Sequence, residues 1–257
     1  MYSEIKMDLL PAKEPVIMAC HFTGIYDVNR NTTLQADDYS IVKAWVDSIT
    51  SLQIKGILFH NNFSEPTCNT YQNEYIKFIK VHHDTSFSPN VYRYFIYHQF
   101  LQQQAQNISS FFVTDVADVV AVKNPFKDSL FVNSPTTIFC GDEPKTLEDE
   151  WMKAHSTHLR NNIADYAAYE ETFKNSTLLN CGIIGGHTAV MQGFVEKLML
   201  IHLQHNRHNP TAYTGDMGAF NYLMRTQYNQ QIYHEQPVNT VFKGYETERS
   251  DCWFRHK

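Results

Sequence analysis

The sequence predicts an α/β fold in which a mixed, mostly parallel central sheet is flanked by helices. Three observations lead there. Apolar runs of strand length alternate with segments whose apolar residues recur at helical period. The clearest strand, Ser110-Phe-Phe-Val-Thr114, is an unbroken apolar run, as expected of a strand covered on both faces. The 257 residues suffice for one large core, since single cores stop growing near roughly 250–300 residues.

The elements follow in order. Val16 to Cys20 is the first strand and ends in the polar loop HFTGIYDVNRNTT. A helix then runs from an Asp37 or Asp38 cap, with Ile41, Val42, Trp45, Val46 and Ile49 on one face. Gly56 to His60 and Ile76 to Val81 read as strands, and Ser88-Pro89 opens a helix carrying Tyr92, Phe95 and Phe100. Beyond Ser110–Thr114, the segment DEPKTLEDEWMKAHSTHLRNN reads as a polar stretch. Leu178 to Gly186 is the next strand, a helix runs from about His187 to His205, and another begins near Asp216. No repeat, low-complexity tract or linker interrupts the chain, so one domain is expected over residues 1–257.

Composition narrows the function. With 43% hydrophobic and 19% charged residues the chain is an ordinary globular one. A formal charge of −6 and the absence of any Lys/Arg run argue against a nucleic-acid surface, which needs clustered cations. The five cysteines (Cys20, Cys68, Cys140, Cys181, Cys252) are scattered singly and read as reduced, structural thiols. No apolar run approaches the ~18 residues of a membrane span, and MYSEIKMDLLPAKEP is too polar for a signal peptide; a cytoplasmic protein without a transmembrane segment is expected. The sequons at Asn31, Asn62, Asn107 and Asn175 carry little weight in an Asn-rich chain.

The segment TDVADVVAVKNPF carries the chemistry. Asp115 and Asp118 are close enough for a tight turn after a strand to aim both carboxylates at one point, and in open α/β sheets ligands gather beyond the carboxyl ends of strands. Hard divalent ions such as Mg2+ and Mn2+ take oxygen ligands and keep positions open for water and phosphate. Solvated or capping carboxylates would give the same spacing. An apolar strand, T-D-x-x-D, a second short apolar run and N-P-F resembles the metal-binding segment of GT-A fold glycosyltransferases, Rossmann-like enzymes in which it commonly reads D-x-D. The resemblance implies that Thr114 and Asp115 border the donor, Asp115 facing its ribose or the metal, and that Asp118 binds the metal.

Later motifs keep the order of that family. LLNCGIIGG resembles the N-x-G segment lining the donor-sugar pocket, which implies donor contacts from Asn180, Gly182 and Gly185. GDMGAFNYLM resembles the acidic helix start of glycogenin-like and lipopolysaccharide sugar transferases, with Asp216 as the catalytic or sugar-orienting residue and Asn221 toward the acceptor; Asp216 would also serve as a helix cap. The terminal DCWFRHK implies His256 as a third metal ligand and Lys257 on the diphosphate. Arg93, in NVYRYF, is a candidate for bidentate contact with phosphate or carboxylate, or for a surface ion pair.

Together these imply a donor-binding part at about residues 15–126 and an acceptor and sugar-pocket part at about 127–257. The expected activity is metal-dependent transfer, with Mn2+ or Mg2+, from a nucleotide sugar, a UDP-sugar first, to a glycan or other hydroxyl acceptor. The motif order leans toward retention. Two alternatives stand beside it. A metal-dependent hydrolase would use a histidine pair from His82-His83, His155/His158 or His202/His205/His208 with Asp115, although no HExxH accompanies them. A sugar- or nucleotide-binding module would keep the fold without turnover.

Overall fold

A computed structural model describes residues 13–27, 32–206 and 215–257. His208, the Asn31 sequon and residues 1–12 lie outside the described residues. The strands are β1 (Glu14–His21), β2 (Tyr26–Asp27), β3 (Thr32–Thr33), β4 (Lys55–His60), β5 (Ile76–Lys80), β6 (Ile108–Thr114), β7 (Val119–Ala121), β8 (Ile138–Thr146), β9 (Thr177–His187), β10 (Ile232–Tyr233) and β11 (Phe254–His256). The helices are α1 (Ser40–Ser51), α2 (Glu65–Tyr71), α3 (Pro89–Gln104), α4 (Ser129–Val132), α5 (Glu150–His155), α6 (Thr157–Asn162), α7 (Tyr166–Phe173), α8 (Thr188–His205) and α9 (Asp216–Gln227).

The fold is α/β, built on a seven-stranded sheet in the order β10-β8-β9-β6-β1-β4-β5. β5, β4, β1 and β6 run parallel, β9 runs antiparallel between β6 and β8, and β10 lies parallel to β8. Alternation along the central strands explains their unbroken apolar sequences. Val16, Met18, Phe111 and Val113 face a core covered by α3, α8 and α9. Ile17, Ala19 and Phe112 face the opposite core with Trp45 of α1 and Trp253 near the C-terminus. Successive side chains point to opposite sides, and both sides are dry.

Several boundaries follow local chemistry. Pro89 at the first turn of α3 sits where its missing N–H costs nothing, after Ser88 in extended conformation. α1 begins at Ser40, whose backbone N–H donates to Asp38 Oδ1 at 2.9 Å, so Asp38 serves the helix start; Asp37 instead accepts from Ser64 N at 2.8 Å. The segment 142–162 is not a polar connection. It holds the end of β8 and the short helices α5 and α6, and its half-buried residues obscure any regular period.

β1 lies between β4 and β6, so the chain departs from it in both directions across the sheet. A crevice opens at the carboxyl ends of strands where the order reverses in this way. Here it is a cleft of about 620 Å³, lined by Cys20, His21 and Phe22 at the end of β1 and by Thr114 to Asp118 after β6.

Candidate metal centre and cleft

The site begins where β6 ends. The backbone N–H of Asp115 donates to Gly182 O at 2.8 Å, extending the β6–β9 pairing by one residue and fixing the direction of the Asp115 carboxylate. The chain then turns through Asp118 into β7. This strand pairs antiparallel with β11, with His256 opposite Val119, and the Lys257 N–H donates to Asp118 O at 3.0 Å. Buried Trp253 anchors the arriving segment by donating its indole N–H to Asp128 Oδ2 at 2.9 Å.

The potential ligand atoms of Asp115, Asp118 and His256 all lie within 4.8 Å of one another. His256 is only 2% exposed, packs its ring against Phe242 with centroids 4.6 Å apart, and has a buried Nδ1 with no hydrogen-bond partner. Burial pushes its pKa down to about 4 against the opposing pull of Asp115, so the imidazole is neutral near pH 7 and its lone pair is available. Two carboxylates and one neutral imidazole form a donor set suited to Mn2+ and acceptable to Mg2+. A buried, neutral imidazole beside two carboxylates fits such an ion.

Gly182 makes the cluster possible. A β-carbon there would stand 2.5 Å from His256 Cε1, 2.8 Å from Asp115 Oδ2 and 2.9 Å from Asn180 Oδ1. Asn180 supports the turn, since its Oδ1 accepts from Gly182 N at 2.7 Å and its Nδ2 donates to Glu143 Oε1 at 2.9 Å. With both amide ends engaged, Asn180 shapes the pocket wall. Thr114 is similarly committed, its hydroxyl accepting from the Trp45 indole at 2.8 Å.

Arg93 is buried and joins the two acidic positions. It ion-pairs with Asp115, and its second terminal nitrogen lies 3.5 Å from Asp216 Oδ2 and 3.3 Å from Cys181 Sγ. Burial works against its charge, but the surrounding groups, including both carboxylates, outweigh it and hold the guanidinium protonated. The ion pair is internal, with one terminal nitrogen toward each of two carboxylates, and is neither on the surface nor bidentate to one group. The neighbouring Cys181 thiol is pushed well above its ordinary range, chiefly by burial. Asp216 opens α9, with Gly215 at the cap position in left-handed conformation (φ 67) and the Asp216 carboxylate beside Arg93.

Arg93, Thr114, Asp115, Asp118, Asn180, Gly182, Asp216 and His256 therefore border one cleft. Gly185, Asn221 and Lys257, expected at the same site, lie outside that lining. Gly185 pairs with Phe112, and a β-carbon there would stand 2.2 Å from that ring, so this glycine makes room for the core. Asn221 is fully buried; its Oδ1 accepts from Leu179 N at 3.0 Å and its Nδ2 donates to Leu179 O and Met217 O, tying α9 to β9. Lys257 has an exposed side chain outside the cleft lining.

Lys243 lines the cleft instead, its ammonium 5.1 Å from the Phe242 ring that packs on His256. Glu143 and Trp151 also line it. None of the three stands in a recognisable motif. Burial raises the pKa of Glu143, while Asn180, Lys145 and Lys243 lower it.

Of the histidines in these pairs, His83, His155, His158 and His202 have structural partners. His202 is fully buried, stacks on Tyr94 with centroids 5.3 Å apart, and bonds Asn206 through Nδ1 at 2.6 Å; His158 bonds the same asparagine. Among the described residues only one further triad of potential ligands occurs, Asp142, His234 and Glu235, where His234 Nδ1 lies 2.8 Å from Asp142 Oδ2. Neither arrangement involves Asp115. No helix among the described residues is long and apolar enough to cross a membrane. Set against models of known protein families and against curated proteins, the chain matches none.

Proposed function

We propose that this chain is a metal-dependent glycosyltransferase of the GT-A type, taking a sugar from a nucleotide diphosphate sugar to a hydroxyl acceptor. The observation that carries the reading is the convergence of Asp115, Asp118 and the buried imidazole of His256 at the wall of a cleft of about 620 Å³. The cleft is large enough for a nucleotide sugar and opens at a strand-order reversal of the sheet. Asp115, Asp118 and His256 would hold Mn2+ or Mg2+, which when bound supplies positive charge to a leaving diphosphate.

The chain's own groups divide the remaining work. Breaking the bond at the anomeric carbon creates an oxocarbenium-like centre and leaves negative charge on phosphate. Lys243 is the exposed cation best sited for that phosphate, in the role the motif order assigned to Lys257. Arg93 fixes Asp115 and Asp216 relative to each other, so a sugar would meet Asp216 in one orientation. Asp216 either accepts the acceptor's proton or faces the positive centre.

Thermal-shift and calorimetric titration with Mn2+ and a panel of nucleotide sugars, UDP-sugars first, tests the reading, because a ligand specific to the folded state raises its stability. Binding that needs both metal and nucleotide, and that disappears in Asp118→Asn, is expected. Metal-independent nucleotide binding, or an unaltered Asp118→Asn protein, would overturn it.

A further inference from the structure

A second group of metal-binding side chains lies outside the cleft, where β8 meets the segment that follows β10. Asp142, His234 and Glu235 hold potential ligand atoms within 4.8 Å of one another, and none of the three lines the cleft. His234 Nδ1 stands 2.8 Å from Asp142 Oδ2 and 3.8 Å from Glu235 Oε1. The imidazole and the Asp142 carboxylate are mostly buried, whereas the Glu235 side chain is exposed and meets them from the solvent side.

A hydrogen bond between His234 and Asp142 accounts for the first distance, but not for the atom beside it. Asn239 is 3% exposed and donates its Nδ2 to Asp142 Oδ1 at 3.1 Å and to Thr240 O at 2.8 Å. Those two acceptors fix which end of the carboxamide is nitrogen. They leave its Oδ1 buried without a hydrogen-bond partner, next to a carboxylate that is itself an acceptor. A cation, or a water held by one, is the group that satisfies such an oxygen in such company.

The spacing and the chemistry agree on the ion. Ligand atoms of a tetrahedral Zn2+ at roughly 2.0–2.2 Å stand about 3.3–3.6 Å apart, and the two distances from His234 Nδ1 straddle that range. To bind, the ring keeps its proton on Nε2 and turns the Nδ1 lone pair to the metal. An imidazole with carboxylates suits Zn2+ better than Ca2+ or Mg2+, which take oxygen shells, and better than Mn2+, which such donors hold more weakly.

We propose that Asp142, His234 and Glu235, with Asn239 behind them, form a second divalent-cation site that takes Zn2+ in a structural role. It does not depend on the transferase reading. The ion would clip β8 to the segment that supports β11. Phe254 N donates to Val238 O at 3.1 Å, Thr240 N to Phe254 O at 3.1 Å and His256 N to Thr240 Oγ1 at 3.0 Å, so the residues just after Glu235 hold the strand that carries His256.

The test is calorimetric titration with ZnCl2 in Asp118→Asn, which disables the first centre. One equivalent of Zn2+ is expected to bind, more tightly than Mn2+ from MnCl2, and to raise the melting temperature. Adding His234→Gln keeps a donor for Asp142 but removes the ring nitrogen. It should weaken that equivalent at least roughly tenfold, the least that a disturbed metal site typically loses. Glu235→Gln, at an exposed side chain, should weaken it as well. Absence of Zn2+ binding in Asp118→Asn overturns the proposal. So does undiminished affinity after adding His234→Gln at a native metal-free melting temperature, which would assign the ion to other histidines. If His234→Gln lowers that melting temperature, Glu235→Gln decides, and unchanged affinity there overturns the proposal.

Discussion

Gly182 and His256 are in direct apposition: a methyl group on Gly182 would stand 2.5 Å from Cε1 of the His256 ring and 2.8 Å from Oδ2 of Asp115. The glycine is therefore the space in which Asp115 and His256 come together. Gly182→Ala must displace an imidazole held in β11 or a carboxylate tied to Arg93. Overpacking of this kind costs about 1–3 kcal/mol. We expect a folded protein whose Mn2+ affinity, measured by calorimetry, falls at least roughly tenfold; an unchanged affinity would separate Gly182 from the metal centre.

Asp216→Asn distinguishes catalysis from capping. The left-handed Gly215 occupies the cap position, and the Asp216 side chain faces Arg93 and Cys181. Near-native melting temperature and donor affinity are expected, with transfer slowed by at least about a hundredfold. Near-normal single-turnover rates would return Asp216 to a structural role.

Asn221→Ala should behave in the opposite way. It removes the acceptor for Leu179 N and the donor for two carbonyls in a fully buried position. Each buried group left unsatisfied costs about 1–3 kcal/mol. Denaturant unfolding should show a loss of that order, while the acceptor KM of the folded fraction stays the same. A raised acceptor KM at native stability would restore Asn221 to the acceptor site.

The two lysines near the triad are expected to differ. Lys243→Ala should weaken binding of a nucleotide diphosphate in the presence of Mn2+, because Lys243 borders the cleft, and Lys257→Ala should leave it unchanged, because that side chain is exposed outside it. Isothermal titration with UDP measures both. The reverse pattern would put the terminal lysine on the phosphate.

Acid should destabilise the fold before most carboxylates titrate. Burial lowers the pKa of His202 to about 3 and, as the largest effect, that of His60 to about 4, so both stay neutral in the folded chain. The unfolded chain takes up those protons near pH 6.5. Below that value the unfolded state binds more protons, so stability is full above about pH 6.5 and falls as pH drops toward 4. Melting temperature followed from pH 7.5 to 4 should decline across that window, and a flat profile would contradict the burial of these rings.

The sequence by itself determined the α/β class, the central strands and the position of Asp115. Strands covered on both faces are continuously apolar, so Val16–Ala19 and Phe111–Val113 stand out without any tertiary information. A carboxylate ending such a run lies at the sheet's carboxyl edge wherever the neighbours are. Even the separation of Asp216 from Asn221 was implicit, because five helical steps turn a side chain through about 140°.

Tertiary structure decided which residues meet. Gly182 and Gly185 look alike in LLNCGIIGG, but the β6–β9 register sets Gly185 opposite Phe112 and leaves Gly182 beyond the last pair, Thr114 and Ile183, beside the carboxylates. His256 reaches Asp118 only because β11 pairs with β7 across roughly half of the chain's length. Lys243 and Trp151 enter the cleft from a turn and a six-residue helix, neither long enough to carry a period. Local pattern reports how each segment is covered, because burial acts on every residue in place. Which segments become neighbours depends on pairing register and chain return, and those are properties of the assembled sheet.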